Sequence, residues 1–347
     1  MPNHNRAKHQ APDRHPVHDR AAVRTTALAM IGLTLFVIAM IASYSGAFAK
    51  PTLHHLTVAV AAPEQVVDGI RGQDTLAVTA VRDAAAAREQ VYERKTDAGF
   101  AVTPTGEMTI YVAGGGGHSV AATAETVGRT VAAKAGLHPT VEDVAPASAG
   151  DPSGTVEFYA IIFISIGASV GASVLGRVMG TVRRPLTLAL RTATLAGYSA
   201  LLAGCVTLYV DVILGALTAH TWQLFGALWL YSMAVGGAVT GVAAAFGSAA
   251  SMALTAFLVV IGNAAAAGPV GRPLLSGFYS TFTAIVPQGS GVSLLRSLEY
   301  FGGHGAQTPL LTLAIWAAAG CLLAVLATAS RVNYRAVLRP WLLSPAD

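Results

Sequence analysis

From Thr25 to Ala49 the chain runs for 25 residues without a formal charge, with ALAMIGLTLFVIAMIASYSGAF at the centre. Residues 50–156 then return to soluble patterning. From Phe158 to Ser330 the only charges are Arg177, Arg183, Arg184, Arg191, Asp211, Arg272, Arg296 and Glu299. A hydrocarbon core about 30 Å thick takes roughly 20 apolar residues of helix to cross. The order of these three stretches predicts one membrane span, a folded domain on the far side, and a bundle of further spans. Composition agrees: 53% of residues are hydrophobic and 12% charged, where soluble domains hold about 25% charged residues.

The formal net charge of +4 is unevenly spread. The first 24 residues hold Arg6, Lys8, Arg14, Arg20 and Arg24 against Asp13 and Asp19, and the last stretch holds Arg331, Arg335 and Arg339. Residues 50–157 carry thirteen acids against eight bases. Basic short segments and one acidic long segment follow the positive-inside rule, which predicts both termini in the cytoplasm. The pattern excludes a nucleic-acid-binding face. Ala47-Phe48-Ala49 resembles a signal-peptide cleavage site, but the apolar run exceeds the usual 7–15 residues, so a retained span is expected. Cys205 and Cys321 both fall inside expected spans, and residues 50–156 contain no cysteine to build a disulfide framework.

The expected fold class is an α-helical membrane protein: six transmembrane helices, with a small external α/β domain between the first and second. Residues 1–24 read as a basic cytoplasmic tail, and its histidines (His4, His9, His15, His18) are too irregularly spaced for a metal site. Residues 25–49 form span 1, and residues 50–156 the external domain. Strands are expected at 56–61, 75–81, 99–103, 108–112 and 140–144, and helices near 64–71, 82–94 and 119–135. Gly136 is the expected stop of the last helix. PASAGDPSG (146–154) has linker composition.

Residues 157–330 form the remaining bundle, with spans near 157–176, 192–216, 222–246, 251–270 and 309–329, followed by a cytoplasmic tail at 331–347. Residues 271–308 are too long for a structureless loop, and LLSGFYSTFTAIV (274–286) is too short to cross. Pro287 breaks the segment, and Leu294, Leu295, Leu298 and Phe301 then share one helical face. The expectation is a re-entrant pair of short helices, with Pro287, Arg296 and Glu299 as its marked residues.

HLTVAVAAP after span 1, DVAPASAGDPSGTVEFYAIIF entering span 2 and FYSTFTAIVPQGSGVSLLRSLEYFGG before span 6 carry a family resemblance. Together with the layout, they resemble the ABC-2 class of exporter permeases. More narrowly, they resemble an actinobacterial branch related to the phage-infection-protein and nitrosoguanidine-resistance membrane proteins. The likeness extends from Arg24 to Ser330 on mostly small and apolar residues. It implies a multi-pass cell-membrane protein acting as a homo- or heterodimer with a separate cytoplasmic ATP-binding subunit. That assembly would move an amphiphilic or lipid-like substrate outward. The competing function is a non-transporting membrane protein whose external domain binds a ligand, a cell-wall component or a partner protein.

No G-x-x-x-x-G-K-[ST] motif occurs, so ATP hydrolysis is expected on a partner, with no cofactor and no catalytic residues here. Gly114 to Gly117 sit between a strand and a helix as a phosphate cradle would, but no Lys-Ser/Thr follows, and a flexible turn is expected. Arg177, Arg183, Arg184 and Arg191 serve topology, or match the loop that the resemblance seats on the ATPase. Asp211, the one acid beyond the first residue of any expected span, either marks a substrate path or a pairing with Arg272, or reaches the outer interface. Asn263 suits a hydrogen bond between helices, and Gly237/Gly241 suit close helix packing. His54-His55 is a weak metal candidate.

Overall fold

The computed structural model describes residues 17–180 and 185–331. Two compact units emerge, residues 1–42 and 43–347. The first contributes the long helix α1 (Val17–Phe48) as far as Ala42. Helix α1 starts before the expected span, so residues 17–24 of the expected basic tail are helical. Residues 1–16 lie outside the described part.

In the second unit, the stretch after α1 folds as expected into a mixed α/β layer. In chain order come β1 (Leu56–Ala61), α2 (Glu64–Arg71), β2 (Leu76–Ala80) and α3 (Ala84–Tyr92). They are followed by β3 (Ala98–Val102), β4 (Glu107–Val112), α4 (His118–Ala135) and β5 (His138–Asp143). The sheet order is β2-β1-β3-β4-β5, parallel except for β3 against β4, which a Pro-Thr-Gly turn joins. Alternation along β1 sorts the two faces. Leu56, Val58 and Val60 join Phe100, Met108 and Ile110 under α2 and α4. Ala59 and Ala61 join Ala101 and Tyr111 under α3. Small residues on that second face let α3 approach closely, since a Cβ at Gly99 would sit 2.8 Å from the Ala87 carbonyl oxygen. The Asp83 side chain caps α3 by accepting the Ala86 N–H at 2.7 Å. Gly136 ends α4 in the left-handed region (φ 66°), as its position predicts.

This domain carries a core of its own, and a fragment of residues 51–150 is expected to give a mixed α/β circular dichroism spectrum and a cooperative melt. Phe301, from outside that fragment, completes the α3 face. Loss of this large buried side chain is expected to lower the melting temperature of the fragment, and adding a peptide of residues 286–306 should raise it. A disordered spectrum would show that the sheet cannot form without the helices.

Four further helices are long and apolar enough to cross a membrane: α5 (Val156–Met179), α6 (Pro185–Thr207, continuing through a π turn at Leu208–Ile213), α7 (Thr221–Phe246) and α11 (Gln307–Ala329). With α1 the described residues hold five such helices, not the six expected. The exception is the segment at 251–270. Helix α8 (Ser248–Phe257) runs on through a π turn at Leu258–Gly262. The chain then breaks into a buried loop, with Ala267 at φ 57°. Apolar length alone put a full span here. Residues 264–268 and Val270 are apolar and buried in the protein, where Ala264 and Ala265 are completely covered.

The expected short pair is present as α9 (Gly277–Ile285) and α10 (Pro287–Tyr300). Val286 is extended and Pro287 opens α10, where its missing N–H costs nothing. The start of α10 is buried all round, and Gln288 reaches out from it. Its side-chain amide donates to Ser165 Oγ at 3.0 Å and to the Leu258 carbonyl at 2.9 Å. The π turn after α8 thus has one of its carbonyls satisfied by a neighbouring helix.

Candidate functional site

A cavity of about 440 Å³ lies where the sheet domain meets α9, α10 and α11. Such a volume is within the usual range of roughly 300–1,000 Å³ for small-molecule sites. Arg94, Thr96 and Asp97 line it from the end of α3, Arg272 from the loop before α9, and Ser290 and Arg296 from α10. Thr308 and Thr312 of α11 complete the far side.

Arg296 organises this region. It is 4% exposed, yet no carboxylate pairs with it among the described residues. Its guanidinium instead donates to four carbonyls. Nη1 reaches Gly116 at 3.1 Å and Ala267 at 3.2 Å, and Nη2 reaches Gly154 and Gly268, each at 3.1 Å. These carbonyls come from the β4–α4 turn, the linker into α5 and the break after α8. The planar five-donor group suits this task, since a lysine could not spread its donors over three segments.

Arg94 approaches from the domain side. It adopts a left-handed backbone (φ 60°), uncommon outside glycine. Its Nη1 donates to the Ser293 carbonyl at 2.8 Å and to Ser297 Oγ at 2.6 Å, and the guanidinium lies 5.0 Å from the centre of the Phe301 ring. Burial, and then the charge of Arg296, pull this guanidinium down to about 10, while Asp97 acts the other way. Arg94 therefore stays charged at neutral pH.

The Gly114–Gly117 run forms a 3-10 turn beneath α10. Every N–H in it is taken: Gly114 by the Asp143 carboxylate, Gly115 by Ala145, Gly116 by Ala113 and Gly117 by Gly114. It is therefore a turn and not a phosphate cradle. Gly115 is glycine for another reason, because a Cβ there would overlap the Tyr300 ring.

The other marked residues are scattered. Glu299 accepts the Thr218 and Ala219 N–H groups at 2.9–3.2 Å and so fixes the chain before α7. Asp211 is half-buried in the π turn after α6 and has no ion pair with Arg272, which is exposed. Asn263 is fully buried, and neither of its amide atoms meets a partner of good geometry, though the Tyr44 hydroxyl lies near. The expected arginine-rich loop includes Arg191, but this residue lies on α6, is 5% exposed and packs over Gly176. Helix α6 begins at Pro185, earlier than apolar length predicted, and carries it inward. Arg177 is exposed near the end of α5, whereas Arg183 and Arg184 lie outside the described residues. The His54 ring is held by the Thr52 carbonyl at 2.6 Å.

Sequence reasoning passed over Arg94, Gln288, Tyr300 and Glu157. Glu157 is completely buried at the start of α5, near Arg296 and Tyr300, with neither carboxylate oxygen in a well-formed hydrogen bond. In the sequence it is the last acid of the acidic stretch 50–157. An acid next to the first apolar residue of a span was the one available signal. Comparison with protein families, with curated proteins and with solved structures finds no match in any of the three.

Proposed function

We propose that this protein is the permease subunit of an ABC-2-like exporter, moving an amphiphilic or lipid-like substrate outward with ATP hydrolysed on a separate cytoplasmic subunit. The observation that carries this reading is the short α9–α10 pair ahead of α11, a feature of the layout that the sequence resemblance draws on. In this reading the short α8 and the loop at 264–270 together make the fifth of six crossings. Both termini then lie in the cytoplasm, the α/β domain lies outside, and the functional unit in the cell membrane is a dimer. A second reading, a non-transporting membrane protein whose external domain binds a ligand or partner, draws on the cavity that the domain helps to line.

Arg177, Arg183 and Arg184 remain the basic residues available to dock an ATPase, with Arg191 withdrawn by burial. Changing Arg183 and Arg184 to glutamine should leave insertion intact, because the terminal segments hold most of the orienting charge. In a mild-detergent pull-down with mass spectrometry, the wild-type chain should bring down a protein with Walker motifs, and the double variant should lose it. Absence of an ATPase from the wild-type preparation would remove the exporter reading in favour of the second.

A further inference from the structure

The geometry points to the cavity between the sheet domain and α10 as a binding site for a single-chain anionic amphiphile, its carboxylate or phosphate head between Arg94 and Arg272 and its chain toward α9 and α11. This deepens the exporter reading, on which it rests only for the purpose of binding.

Three arginines line the cavity against one acid, Asp97. None of the four is in an ion pair among the described residues. Glu157 lies close enough to Arg296 to interact with it but does not line the cavity. Arg296 is buried, Arg94 half-buried and Arg272 exposed, and an excess of guanidinium around this partly open space leaves a place for an anion. Thr96 and Arg296, which both line the cavity, each also carry a buried donor without a partner, Oγ1 and Nε. Arg296 spends its other donors on carbonyls and contributes mainly field. Arg272, and the donors of Arg94 other than the Nη1 held by Ser293 and Ser297, are left to contact a head group.

The remaining wall is apolar or small, including Val91, Val120, Ala284, Val292 and Pro309. Ala284 and Thr308 are exposed at its edge, beside the outward-facing Ile285 and Leu311 of α9 and α11. A chain lying along that apolar surface would thus run over apolar walls while its head reaches the arginines. The volume suits a head group with part of one chain better than a two-chain lipid.

The test uses the full-length protein in nanodiscs of phosphatidylcholine, with binding of oleate, oleoyl lysophosphatidate and oleyl alcohol measured by competition against a fluorescent fatty acid. One saturable site is expected, with at least one of the two anions binding at least about tenfold more tightly than the alcohol. Which anion leads identifies the head group. Arg272→Gln, at the exposed rim, should weaken binding about two- to fivefold. The Arg94→Gln/Arg272→Gln pair should weaken it about thirtyfold or more, with Arg94→Lys retaining most of the affinity. Thr308→Trp should block the edge without touching a charge, so binding can be judged even if Arg94→Gln fails to fold. Equal affinity for acid and alcohol, or affinity unchanged in both Thr308→Trp and the arginine pair, would overturn the site. Loss of the ATPase from pull-downs with anion binding intact would instead overturn the exporter reading and leave the site standing.

Discussion

Arg296→Met is expected to destabilise the second unit by several kcal/mol, at about 1–3 kcal/mol for each buried carbonyl left without a donor. The methionine fills similar volume but leaves the carbonyls of Gly116, Gly154, Ala267 and Gly268 without their donor. Against total stabilities of about 5–15 kcal/mol, that loss puts folding itself at risk. Arg296→Lys should fall between wild type and methionine, since an ammonium keeps the charge but cannot reach all three segments. The loss should be local at first: limited proteolysis should open the linker at 146–154 and the loop at 263–271 before the helices. Denaturant unfolding in detergent, followed by tryptophan fluorescence, would measure the energy. A loss under about 1 kcal/mol would mean that water replaces the guanidinium at these carbonyls.

The second large effect is expected at Gly320. Helices α7 and α11 touch backbone to backbone there. A Cβ on Gly320 would overlap the Gly237 peptide, and one on Gly241 would overlap the Gly320 carbonyl. Helices in lipid gain little from hydrophobic transfer against each other, so close packing of small residues drives their association. Gly320→Val should therefore separate α7 from α11 and cost about 1–3 kcal/mol or more, because neither backbone can yield as a flexible side chain does. Gly226→Ala is the matched control on α7. Nothing lies within 4 Å of the added methyl, so the substitution should be neutral or stabilise by a few tenths to about 1 kcal/mol. Equal behaviour of the two variants in the same unfolding assay would show that the contact carries no load.

Much of this architecture was legible in the chain. Period-2 alternation and short helical repeats located β1 to β5 and α2 to α4, because the sheet faces are sorted by side chains one residue apart. Charge-free length located α1, α5, α6, α7 and α11, and Pro287 marked the start of α10 for a local steric reason. The Gly237/Gly241 spacing announced close packing, but its partner Gly320 carries no such spacing and was visible only once α11 lay across α7.

What the sequence could not decide was which apolar residues face lipid and which are buried in protein, since both look alike in composition. That ambiguity produced the unbroken helix expected at 251–270, where α8 stops and a mostly buried loop follows. It also hid the cavity, whose wall is assembled from residues as distant as Arg94, Arg272, Arg296 and Thr308. Sequence alone determined the alternation of apolar helices with one α/β domain, because hydrophobic periodicity and length are local properties. Only the tertiary structure decided that Arg296 would be spent on four carbonyls while Arg94 and Arg272 stayed free of carboxylates, because hydrogen-bond partners are set by the packing of segments far apart in the chain.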